Sequence, residues 1–81
     1  MKVAFSKKAL NDYLNLSRDF QAKADKQFSL IIKNFRHPSI RVKKYDEALN
    51  IWQGRIDKKY RFFFKIASDV AFVIAITKHP K

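Results

Sequence analysis

The sequence contains no cysteine, a single glycine and two prolines, and only 7 Asp and Glu stand against 18 Lys and Arg. Without cysteine there is no disulfide, no thiol nucleophile and no Cys-based metal site. So little glycine and proline leaves no linker or low-complexity stretch, and no internal repeat is visible. The 81 residues therefore read as one domain spanning 1–81. The longest apolar run, at 70–76, falls far short of the ~20 residues of a membrane helix. After one Lys, the N-terminus offers only Val3, Ala4 and Phe5 before polar residues, too little for a signal peptide, so the cytoplasm is the expected address. A Gly-rich phosphate loop, a two-His metal cluster and a Ser/His/Asp pattern are all missing. Any phosphate must therefore be held by side-chain cations, and neither a metal nor an organic cofactor is expected.

What is present is apolar and basic. Hydrophobic residues make up 47% of the chain, with eight Phe, three Tyr and one Trp. A domain of this size buries only about 60–65% of its unfolded surface, so a dense aromatic core is needed. The formal charge is +11, with eight basic and three acidic residues in 1–40 and ten basic and four acidic in 41–81. The charge is spread along the chain and does not form a detachable tail. Such self-repulsion favours a polyanionic or acidic partner. Nucleic acid is the first candidate, an acidic membrane surface the second, and a merely solubilising surface the third.

Val3, Ala4 and Phe5 form a short predicted strand, closed by Ser6 as a helix N-cap with Phe5 and Leu10 at the spacing of a hydrophobic staple. Ala9, Leu10, Tyr13 and Leu14 give the apolar side of the first helix. Ser17 caps a second, whose stripe Phe20, Ala24, Phe28, Ile31 and Phe35 steps by four, four, three and four. His37 and Pro38 end it, because the residue before proline leaves the helical region; His37 itself is read as a structural helix-end residue.

Beyond Pro38 the period becomes 2, with strands at 40–45, 50–57, 60–67 and 70–78 joined by turns short enough only for hairpins. The predicted fold is α+β in the order βααβββ(β), with two N-terminal helices packed on one face of an antiparallel sheet. Trp52 and Ile56 must share the core face with Tyr60, Phe62, Phe64 and Ile66. That requires an odd turn such as Asp57, Lys58 and Lys59, and it sets Arg55 opposite Arg61 on the face away from the helices. Like charges placed so are destabilising, which suggests that an anion is expected there.

The last strand is apolar on both sides. A three-residue turn at 67–69 is favoured because it turns the bulkier Phe72, Ile74 and Ile76 inward. Ala71, Val73, Ala75, Thr77 and His79 would then share the face of Arg61. A two-residue turn at Ser68 and Asp69 would invert this.

The βααβββ order, the segment Ile51-Trp52-Gln53-Gly54-Arg55-Ile56 and the segment Tyr60-Arg61-Phe62-Phe63-Phe64 resemble toxins of the RelE/ParE superfamily over the whole chain. The basic joint from His37 and Pro38 to Lys43 and Lys44 resembles that family's helix-to-strand connection. The resemblance implies the toxin of a type II toxin–antitoxin module. In RelE, YoeB and HigB types this is a ribosome-dependent mRNA endonuclease in which a ribose 2′-OH attacks the adjacent phosphate. That chemistry asks for a proton acceptor, a proton donor and cations facing the phosphorane-like state.

Arg61 matches the family's phosphate-stabilising arginine, a permanently charged fork that fits two phosphate oxygens. His79 matches the C-terminal histidine of YoeB-like members, although Pro80 stands where they carry tyrosine. Lys43 and Lys44 resemble the strand lysines of RelE-like members, while Asp46 and Glu47 lie in the following loop, so the general base stays open. The expected catalytic set is Arg61, His79, Arg55 and Lys43, with Lys44, Lys58, Lys59 and Lys78 as RNA contacts. Lys43 and Lys44 point to opposite faces of a strand, so at most one serves the site. Trp52 is read as a packing anchor. The implied partners are a cognate antitoxin, the ribosome and mRNA, with no membrane and no small-molecule cofactor. Two alternatives are a ParE-like, non-enzymatic poison of DNA gyrase and an inert basic RNA-binding module.

Overall fold

The computed structural model describes residues 1–78. The chain runs β1 (Lys2–Phe5), α1 (Lys7–Leu14), α2 (Arg18–Asn34), a 3-10 turn (Pro38–Ile40), β2 (Lys43–Asp46), β3 (Ile51–Arg55), β4 (Tyr60–Ala67) and β5 (Val70–Lys78). Both helices start as their capping residues dictate. The Ser6 hydroxyl accepts from the Ala9 N–H at 3.0 Å, and that of Ser17 from the Phe20 N–H at 3.4 Å.

The sheet order is β1-β5-β4-β3-β2. Strands β2 to β5 form the expected antiparallel meander. β1 adds to it in parallel beside β5, so the whole sheet is mixed. The crossover that parallel pairing needs is supplied by the intervening helices and hairpins. β2 starts at Lys43, later than the expected residue 40, because the 3-10 turn and a left-handed Arg41 (φ 51°) occupy the joint after Pro38.

The α2 stripe meets the sheet as its spacing requires. Ala24, Phe28 and Ile31 are buried beside Phe62 and Phe64 of β4 and Ala71, Val73 and Ile76 of β5. Phe28 packs edge-on against Phe62 at 5.2 Å, Phe20 against Tyr60 at 4.7 Å and Phe35 against Trp52 at 6.2 Å. Trp52 is thus a packing residue, as expected. Gly54 lies directly beneath the Phe62 ring, where a Cβ would collide with the ring atoms. α1 differs from expectation. Ala9, Asp12 and Tyr13 turn toward the body of the protein, while Leu10 and Leu14 stay 48% and 61% exposed. Phe5 packs against Phe28 at 5.2 Å.

The register of β4 on β3 is the expected one, with Arg55 directly opposite Arg61. On β5 the favoured three-residue turn is wrong. Ala67 pairs with Val70 across a two-residue turn in which Ser68 takes a left-handed φ of 56°. Ala71 and Val73 consequently face the core, and Phe72 is 40% exposed. A bulge opposite Phe63 and Phe64 then reverses the parity. Past it Ile76 is buried, and Thr77 lies across from Arg61. The backbone groups around this bulge are taken up by α1. The Ser6 hydroxyl donates to the Ile74 carbonyl at 3.1 Å, and the Asp12 carboxylate accepts from the Ile76 N–H at 3.0 Å.

Candidate nucleic-acid interface

The helices cover the face that carries Trp52, Phe62 and Phe64, and among the described residues no helix covers the other. On that open face, cross-strand rows place Lys43 beside Gln53 and Phe63, and Arg55 beside Arg61 and Thr77. Arg41, Lys43, Gln53, Arg55 and Arg61 together line a cavity of about 270 Å³. Four cations surround it, and no carboxylate is among its lining residues. Arg41 and Arg55 also border a second cleft of about 520 Å³ with Lys23, Lys26, Gln27, Ser39 and Asp57.

Arg61 is fixed from below. Its guanidinium donates to the main-chain oxygens of Asp57 at 2.5 Å and Tyr60 at 3.1 Å. It forms no ion pair among the described residues, so it is not neutralised by the Asp57 carboxylate. Burial, then the neighbouring Arg55 and Arg41 guanidinium groups, push its pKa below the ordinary arginine value, and Asp57 offsets this in part. Arginine stays protonated at any physiological pH, so the shift reflects first the desolvation of the guanidinium and second the positive potential of Arg55 and Arg41, which a bound anion would relieve.

The Asp57 carboxylate is occupied elsewhere. It accepts from the backbone N–H groups of Lys59 at 2.8 Å and Tyr60 at 3.0 Å, and pairs with Lys23 at 3.3 Å. Burial raises its pKa, but the two backbone donors and Lys23 outweigh that and leave it below the usual carboxylate value. The carboxylate thereby holds the β3–β4 turn from which Arg61 projects.

Gln27 ties the site to the core. It is 5% exposed, and its side-chain amide donates to the Arg55 carbonyl at 2.7 Å and the Ser39 carbonyl at 3.0 Å. One side chain thus couples α2 to the end of β3 and to the turn before Arg41. The sequence carried a signal for it: 27 lies on the buried stripe, three after Ala24 and four before Ile31. A polar residue at such a position is kept only when its hydrogen bonds are met. Arg41 was missed because nothing in strand parity brings a left-handed loop residue to the sheet face, whereas Gln53, two residues before Arg55 on β3, was within reach of parity.

Of the predicted site residues, Arg61, Arg55 and Lys43 come together. Lys44 lies on the helix side, its ammonium 4.4 Å from the Trp52 ring centre and 2.7 Å from the Asn50 side-chain oxygen. Opposite faces for Lys43 and Lys44 were expected from their adjacency. Lys58 is exposed in the β3–β4 turn, and Lys59 leans toward the Phe20 ring. Lys78 pairs with Tyr60, away from the arginine row. His79 lies outside the described residues. Asp46 accepts from the Leu49 N–H at 3.0 Å within the β2–β3 turn, and Glu47 is 3.8 Å from Lys44, so neither lines the cavity. Among the described residues no group of three or more His, Asp or Glu converges as a metal site, and no helix is long and apolar enough to cross a membrane.

This order of elements, with an uncovered basic sheet face, defines a RelE-like α+β fold. A YoeB–YefM complex from Staphylococcus aureus contains a chain that superposes with a TM-score of 0.79 at 16% identity, covering 99% of this chain and 98% of that one. A toxin–antitoxin complex, RelBE from E. coli, gives 0.75 at 16% identity, with 99% and 98% covered. A YoeB/ParE toxin from Agrobacterium tumefaciens gives 0.70 at 21% identity, with 99% and 100% covered. No protein-family model and no curated protein matches the sequence.

Proposed function

We propose that this chain is the toxin of a type II toxin–antitoxin module and acts as a ribosome-dependent mRNA endonuclease. The observation that carries this reading is the cluster of Arg41, Lys43, Arg55 and Arg61 around one cavity on the uncovered sheet face. Such a cluster is electrostatically costly unless an anion occupies it. The RelE-like fold and the Tyr60-Arg61 segment add the expectation that the anion is an RNA phosphate.

In the proposed reaction a ribose 2′-oxygen bonds to the adjacent phosphorus as the bond to the 5′-oxygen breaks. The 2′-OH proton passes to a base, and the departing oxygen gains a proton. Arg61, held by two main-chain oxygens, faces the charge that builds on the phosphoryl oxygens. Arg55 and Lys43 add to the same field, and His79 and Lys43 are the candidates for proton transfer. Lys58 and Lys59, exposed in the β3–β4 turn, contact RNA backbone outside the cavity, while Lys44 and Lys78, on the other side of the sheet from the arginines, do not. The physiological inhibitor is an antitoxin whose acidic segment covers the basic face, and the cytoplasm is the compartment this implies.

The test is induction of the chain in bacterial cells, with transcript ends mapped and DNA cleavage complexes assayed in parallel. In-frame transcript cuts without DNA cleavage complexes support the reading. Intact transcripts with gyrase-linked DNA breaks refute it in favour of a ParE-like poison, and unimpaired growth leaves an inert basic module.

A further inference from the structure

An exposed aromatic ring stands beside the cationic cavity. Tyr45 sits where the β2–β3 ladder is irregular, between Lys44 and Asp46, and it is 61% exposed. Its ring is nevertheless held, packing edge-on against Phe63 with centroids 4.7 Å apart and planes at 61°. Phe63 belongs to the cross-strand row that contains Gln53 and Lys43, two of the residues that line the cavity. Tyr45 is thus a positioned aromatic ring on the same open face, bordering the cationic cluster.

We propose that Tyr45 stacks an unpaired base of a single-stranded RNA whose phosphate backbone lies across Lys43, Arg55 and Arg61. The proposal rests on the RNA reading above and deepens it by assigning a base-contacting residue. Three features point to single-stranded RNA as the occupant. The cavity it borders is lined by four cations and no carboxylate, which complements a phosphate backbone. A base in a duplex is already stacked on both sides, whereas an exposed one gains a partner from an aromatic ring. Tyrosine also offers a large flat contact with few torsions to freeze, and here the ring is already braced by Phe63.

The test uses fluorescence anisotropy with labelled 2′-O-methyl RNA hexamers, which bind but offer no 2′-OH for cleavage. Some hexamers carry one abasic residue, placed at each position in turn. Tyr45→Ala should weaken binding by about 5- to 150-fold, the range for losing one aromatic–base stack. Tyr45→Phe should stay within about twofold, because stacking needs the ring and not the hydroxyl. On the wild-type protein, one abasic position should reproduce the Tyr45→Ala loss, and it should cost nothing further in Tyr45→Ala. The abasic series on unaltered protein does not depend on whether the variant folds. Wild-type binding that is unchanged by Tyr45→Ala and by every abasic position overturns the platform alone. No wild-type binding to any hexamer, at low salt, overturns the RNA reading and the platform with it.

Discussion

Replacing Arg55 by glutamine should make the protein more stable at low ionic strength and, on the proposed function, bind RNA more weakly. Arg55 stands directly across from Arg61, and its charge is one of those that depress the Arg61 pKa. Its side chain makes no hydrogen bond or ion pair among the described residues, and Gln27 holds its backbone carbonyl, which the substitution keeps. Favourable cross-strand pairs contribute about 0.2–1 kcal/mol, and two like charges there are expected to cost on the same scale. With an unfolding entropy near 2.1 cal/mol/K per residue, an 81-residue chain has about 0.17 kcal/mol/K in total. The gain therefore corresponds to a rise in Tm of about 1–6 °C. At about 1 M salt the Debye length shrinks to ~3 Å, and most of the gain should vanish. Thermal melts of wild type and Arg55→Gln at 20 mM and 1 M NaCl measure this directly. A Tm that falls at low salt, or a gain that persists undiminished at high salt, would refute the idea that these arginines repel one another.

Asp12→Ala should lower stability by about 1–3 kcal/mol, because the Ile76 N–H at the β5 bulge loses its acceptor; urea unfolding measures it, and Asp12→Asn should recover part of the loss. Gln27→Ala should cost a similar ~1–3 kcal/mol by leaving the Arg55 and Ser39 carbonyls without their donor. It should also weaken RNA binding without changing the salt slope, since no phosphate-contacting charge is lost; titrations at several salt concentrations check this. The pKa of Asp57 is lower in the folded protein than its unfolded value of 3.8, so its stabilising contribution is complete well above pH 3.8. The contribution is lost as the pH falls through the lower folded-state value. Asp57→Asn should therefore show a shallower fall in Tm between pH 5 and pH 2 than wild type.

The parts of this fold legible in the sequence were those where one face of an element was unambiguously apolar. The α2 stripe and the alternation of Tyr60, Phe62 and Phe64 fixed which side of each element met the core. The Arg55–Arg61 pairing followed by parity alone. β5 defeated the same reasoning because Ala71, Phe72, Val73 and Ile74 are apolar on both sides. A bulge there costs no buried polar side chain, so the pattern leaves no trace of it. Its backbone partners, Ser6 and Asp12, lie more than 60 residues away. The pairing of β1 with β5 is likewise non-local. At the site, strand cations were readable from register, whereas Arg41 and Gln27 reach it through a left-handed turn and a buried amide that alternation does not encode. Tyr45 shares the face of Lys43 as alternation gives it, but its packing on Phe63, two strands away, is not encoded by period 2.

The central claim is that the arginine cluster acts on mRNA in the ribosome, and primer extension on a defined mRNA in a purified translation system tests it most directly. Wild type should produce cuts at the decoding site only when ribosomes are present. Arg61→Ala, still folded by circular dichroism, should cut about 10²–10³-fold more slowly, the cost of removing one donor to a developing oxyanion. Intact mRNA with the wild-type protein, or undiminished cutting by a folded Arg61→Ala, would contradict the account.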